Sequence, residues 1–126
     1  MIRPLAILGL AVALGGCQTA GPSTSPPAGE AARDLSSGLA DAIQRCWFGE
    51  TETAFDGYIY TPEMVGGRPR ILLASKDEPG GRPALVIEPA DDGKVGVYGP
   101  LVGTALGPRI TADIDRWRAG GTACGS

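Results

Sequence analysis

Few side chains in this chain carry chemistry by themselves, and the three cysteines come first: Cys17, Cys46 and Cys124. A thiol can be acylated, joined to another thiol or bound to a metal, and the compartment decides among these. The carboxylates are next. Glu50, Glu52 and Asp56 stand close together and could offer oxygens to a divalent cation, but the EF-hand spacing is absent and a solvated loop is the simpler account. Asp91-Asp92-Gly93 reads as a hairpin turn rather than a ligand set. Asp113 and Asp115 alternate with Arg116 and Arg118, the pattern of a charged, solvated helix face. Any two of the 14 Asp and Glu residues could meet as a glycosidase-like acid pair, yet no spacing selects one.

Composition removes several classes. Histidine is absent, which excludes Ser-His-Asp and Cys-His catalysis, histidine-based zinc sites and histidine-ligated haem. The 11 basic residues form no block or stripe and aromatics make up 6%, so nucleic acid is not an expected partner. "GVYGPLVG" (96–103) has glycines without the G-x-G-x-x-G order or a βαβ setting, so no nucleotide cofactor is expected. No metal or other cofactor is expected either.

The elements that must position these residues are legible from periodicity. In "AARDLSSGLADAIQRCW" (31–47), Leu35, Leu39, Ala42, Ile43 and Cys46 form one helical stripe, which predicts a helix over 33–46. "FDGYIYT" (55–61) is aromatic and β-branched between Gly57 and Pro62, and predicts a strand over 57–61. "GGRPRILLAS" (66–75) and "GGRPALVIEP" (80–89) echo each other, a turn signal before an apolar run. They predict strands over 69–75 and 83–88, the two neighbours of a hairpin. A last strand over 94–98 follows the Asp91-Asp92-Gly93 turn. Ile71-Leu72-Leu73 and Leu85-Val86-Ile87 are continuous apolar runs, which predicts partial cover on both faces of the central strands. "PRITADIDRWRAGG" (108–121) predicts a second helix, with Pro108 in its first turn, Ile110, Ile114 and Trp117 on one face and Gly120-Gly121 as its stop. Connections this short allow only antiparallel pairing. The expected fold is α+β: a small antiparallel four-stranded meander with one helix before it and one after, packed on one face, α-β-β-β-β-α.

The N-terminus assigns the compartment. Arg3 precedes "LAILGLAVALGG" (5–16), an uncharged run of secretory-signal length and too short to span a bilayer as a mature helix. Leu14-Gly15-Gly16-Cys17 resembles the lipobox of bacterial lipoproteins. The resemblance covers residues 1–17 and implies that Cys17 receives a diacylglyceryl group, that residues 1–16 are cleaved and that the new amine is acylated. A plain secretory signal beside a chance cysteine is the alternative. Gln18, in place of Asp, resembles the sorting pattern for the outer membrane, given a cell with two membranes. Multiple acyl chains hold a protein firmly where one binds marginally. Loss of Arg3 with the signal takes the formal charge from −3 to −4, so charge adds nothing to anchoring on an anionic leaflet. Residues 17–29, the lipidated cysteine and "QTAGPSTSPPAG", read as a Pro/Ser/Gly tether, with a loop packed on the domain as the alternative. Residues 30–126 form the single α+β domain.

With Cys17 lipidated in an oxidising compartment, Cys46 and Cys124 form the one remaining pair, and a disulfide between them is expected, two free thiols being the alternative. "IQRCWF" (43–48) is similar to the end of the first helix in the C-terminal domain of TolA-type proteins, where a Cys-Trp pair precedes a small sheet and a last helix returns with a second cysteine. The likeness covers six residues and the element order, and this chain departs from it in its anchor and its lack of a helical stalk. The whole also resembles short uncharacterised lipoproteins of alphaproteobacteria, which implies no activity. Trp47, Tyr58 and Tyr60 are the candidate partner-binding residues, provided that their rings reach the surface. The leading expectation is a non-enzymatic, outer-membrane-anchored lipoprotein on the periplasmic face that binds an envelope protein. The alternatives are a peptidoglycan-acting hydrolase with paired carboxylates and a small-ligand or glycan binder.

Overall fold

The first helix, α1 (Glu30–Cys46), begins three residues earlier than the apolar stripe predicts. Its start is fixed from outside the segment. Gly29 lies in the left-handed region at φ 90° and offers no side chain as a cap. Asp91 supplies one instead: its Oδ2 accepts the Gly29 N–H at 2.9 Å and its Oδ1 the Ala32 N–H at 3.0 Å. Those donors would otherwise have no intrahelical partner. The computed structural model describes residues 28–125. The expected signal, the lipobox with Cys17 and nearly all of the tether therefore lie outside the described residues.

Four strands follow: β1 (Tyr58–Val65), β2 (Arg68–Ser75), β3 (Leu85–Pro89) and β4 (Val95–Tyr98). They pair antiparallel in the order β1-β2-β3-β4. The chain then makes a 3-10 turn over Pro100–Gly103 and closes with α2 (Gly107–Arg118). The α-β-β-β-β-α meander is thus the architecture, and both helices pack against one face of the sheet.

β1 runs four residues past its predicted end because Pro62 does not stop it. β1 is an edge strand, where a missing N–H on the open side costs no ladder bond. The Gly66-Gly67 turn, with φ 57° and 77°, joins β1 to β2 in two residues, a conformation that glycine adopts without penalty. The echoed segments do become neighbours, with Ile71 opposite Ile87 and Leu73 opposite Leu85.

Alternation along the strands separates the two faces. Ile71, Leu73, Leu85 and Ile87 face the helices, and join Leu39, Ile43, Ile110 and Ile114 in the core. Leu72 and Val86 face the other way, and with Leu72 half-buried and Val86 buried this second face is partly covered although no helix packs on it. Leu72, Val86 and Tyr98 stand side by side in register, and the sheet's own side chains bury Val86. The same open face carries a polar row in which Arg70 bonds to Glu63 and pairs with Glu88 at 3.6 Å. Tyr98 donates its hydroxyl to Glu88, and this bond holds the phenol above its ordinary pKa.

Candidate functional site

At the C-terminal end of α1 the chain concentrates its aromatic and buried charged groups. Trp47 is wholly buried, stacked on Phe55 at 4.6 Å between ring centroids and tilted against Trp117 at 5.4 Å. Its indole N–H donates to Asp113 Oδ2 at 2.8 Å. Asp113 is 1% exposed, and Arg116 reaches its other oxygen at 2.7 Å. Arg109 lies over the Phe55 ring, 3.6 Å from Asp113, and donates to Glu52 at 2.6 Å. That bond and the Ala54 N–H hold the Glu52 carboxyl down to about 2.

The segment after α2 closes over this cluster. Arg45 donates to the Thr122 carbonyl at 2.8 Å, and the Trp117 indole to that of Ala123 at 2.9 Å. Gly125 lies so near the Asp113 carboxylate that a Cβ there would collide with it. The Cys46 and Cys124 sulfurs stand at disulfide distance, 1.97 Å.

These facts correct three expectations. Trp47 presents no surface to a partner, so it leaves the candidate binding set. Asp113 belongs to no solvated face, whereas Asp115 does. Glu52 is tied to Arg109 instead of standing in a free acidic loop with Glu50 and Asp56. The signal that marks Asp113 is its position: it shares a helical stripe with Ile110, Ile114 and Trp117, all buried. Trp47, Phe55, Asp113 and Trp117 are all buried in this cluster.

Space for a ligand lies elsewhere. A groove of about 510 Å³ runs between α1 and the β1–β2 hairpin. Arg33, Ser36, Ser37 and Ala40 form its helical wall, and Tyr60, Pro62, Met64 and Pro69 are among the residues on its strand side. Its lining mixes apolar side chains with five polar or charged ones, Arg33, Ser36, Ser37, Glu63 and Arg70. Tyr60 is half-buried here, and burial pushes its phenol above the ordinary value. Tyr58 shares its strand face, and both rings pack against the core, but Tyr58 is not part of the groove's lining. Of the three aromatic candidates, only Tyr60 therefore lines a groove.

Glu63 is the one carboxylate among the groove's lining residues, and Arg70 holds it in an ion pair. The Asp91-Asp92-Gly93 turn lies at the start of α1, where Lys94 N–H bonds to Asp92 at 3.0 Å and Asp91 caps the helix. Among the described residues no group of three or more His, Cys, Asp and Glu could hold a metal ion, and no helix is long and apolar enough to cross a membrane. Comparisons with protein-family models, curated proteins and solved structures find no match for this chain.

Proposed function

We propose that this chain is a lipoprotein anchored through Cys17 to the outer membrane, whose periplasmic α+β domain is a non-enzymatic module binding an envelope protein. The observation that carries the binding role is the groove between α1 and β1. Its apolar strand side, with Arg33, Ser36 and Ser37 opposite, suits an extended partner segment bearing apolar side chains and a carboxylate. Pairing along the backbone of β1 is disfavoured, since Pro62 leaves a gap among the outward N–H groups of that edge. Side chains therefore dominate recognition.

The hydrolase reading requires two carboxylates about 5–10 Å apart in a cleft. The groove offers Glu63 alone, neutralised by Arg70. The glycan reading requires several exposed rings, and Trp47 is in the core. Both are weaker than the protein-binding reading.

A photo-crosslinking residue at Ser37, with one at exposed Thr111 on α2 as reference, tests the groove in intact cells. One envelope protein trapped at Ser37, absent at Thr111 and lost with Ala40→Glu, is the expected result. Equal trapping at both positions, or none at Ser37, would overturn it.

A further inference from the structure

The β1–β2 hairpin ends in an apolar tip that the fold does not use. Met64 is 53% exposed and Val65 49%, two of only four large hydrophobic side chains so exposed among the described residues. They are consecutive in a strand, so they point to opposite faces, and each leaves about half of its side chain exposed, although the start of α1 packs beside the turn. Gly66 and Gly67 carry no side chain, and exposed Arg68 follows them. A hairpin end with an exposed apolar side chain on each face can enter a medium, whereas an apolar patch on one face fits a partner's surface.

The same end of the molecule receives the chain from Cys17. Gly29 packs beside the Gly67 carbonyl, which accepts a 3.3 Å hydrogen bond from Arg33. Twelve residues, 18–29, connect that point to Cys17. Their full contour is about 40 Å, so an anchored Cys17 confines the tip to a thin layer over the bilayer. Confinement of this kind raises effective concentration enough for a weak contact to be populated.

We propose that the end formed by Met64–Arg68 and the start of α1 rests on the lipid surface, with Met64 and Val65 entering the boundary between headgroups and acyl chains. The proposal rests on the lipidation of Cys17. Arg33 and Arg68 flank the tip, and can keep their guanidinium groups among phosphates while their stems lie along it. Glu30, Asp34, Asp91 and Asp92 at this end outnumber the two arginines, so the contact is led by apolar side chains and anionic lipid does not strengthen it. Met64 also lines the groove, which places the groove mouth, and any partner in it, next to the bilayer.

The full chain, matured with its own signal, is reconstituted in phosphatidylcholine vesicles with or without brominated acyl chains. A fluorescent label is placed at Val65→Cys, or at Asp77→Cys for reference. Asp77 lies just past the far end of β2, about 25 Å away along the eight-residue strand. The expected result is quenching at least threefold stronger at position 65 than at 77, falling by half or more when Met64→Ser is added. Flotation with the vesicles and equal quenching at both positions would overturn the proposal and leave the anchor standing. Failure to float would remove the anchor and the proposal together.

Discussion

The Trp47 indole nitrogen lies 2.8 Å from Asp113 Oδ2, a bond that joins the end of α1 to the middle of α2 across 66 residues. Both partners are sealed from water, by the stacked Phe55 on one side and the C-terminal segment on the other. A buried carboxylate is tolerable only when its oxygens are satisfied. Here one oxygen takes the indole N–H and the other an Arg116 N–H. The bond therefore ties the end of α1 to α2 inside the core.

Trp47→Phe keeps the ring stack and removes the donor, leaving one Asp113 oxygen short of a partner. Such a loss costs about 1–3 kcal/mol. Urea unfolding should show a midpoint lowered accordingly. Asp115→Asn, on the exposed side of the same helix, should stay within about 0.5 kcal/mol of the parent. Equal effects from the two would mean that Asp113 is not the buried member of the pair.

The Glu52–Arg109 bond predicts a pH dependence with a definite sign. The Glu52 carboxyl is held down to about 2, below its ordinary 4.5, chiefly by the Arg109 hydrogen bond. A depressed carboxyl stabilises the fold above its unfolded value, and that stability is lost as pH falls through the folded one. The parent should therefore lose stability between about pH 4.5 and 2, while Glu52→Gln should show a shallower loss across the same window. Denaturant midpoints at pH 5, 3.5 and 2.5 check this, and parallel profiles would refute it.

The parts of the fold that were legible in the sequence are those set by local periodicity. The α1 stripe, the paired echo segments and the α2 face all follow from spacing, and these produce the meander directly. What was hidden depended on contacts between distant residues. The start of α1 is set by Asp91, some 60 residues downstream, and nothing within 28–33 shows it. Pro62 read as a strand end because its sequence neighbours do not say that β1 lies at an edge.

The sites divide in the same way. Asp113 sits on the buried stripe with Ile110, Ile114 and Trp117, and the alternation of Asp and Arg around it hides that place in the sequence. The groove was invisible because its walls come from α1 and from a hairpin about 25 residues later, and only folding brings Ser37 opposite Tyr60.

Cys46 and Cys124 are 78 residues apart in sequence, so joining them restricts the unfolded chain strongly. The chain-entropy account gives about 4 kcal/mol for a loop of this size. The oxidised protein should weigh two hydrogens less than its reduced form, and its urea midpoint should fall when a dithiol is added. An unchanged mass and midpoint would show that the two thiols are free.

The anchor is the step on which cellular address depends, and it separates two accounts of the N-terminus. If Leu14-Gly15-Gly16-Cys17 is processed as a lipobox, the diacylglyceryl group goes to the Cys17 thiol, and Cys17→Ser removes the only acceptor. The variant should then leave the membrane fraction for the soluble periplasmic one, with the fold intact, since Cys46 and Cys124 still pair. The domain is mildly acidic, so electrostatic attraction to an anionic leaflet cannot replace the lipid. The apolar hairpin tip, without confinement, is too small to hold the protein alone, because even a single myristoyl chain binds only marginally and reversibly. Release on Cys17→Ser, together with a parent whose mature mass carries the acyl groups, is the expected outcome. A variant that stays with the membrane would show that a bound partner or the uncleaved apolar segment holds it, and the lipobox account would fall.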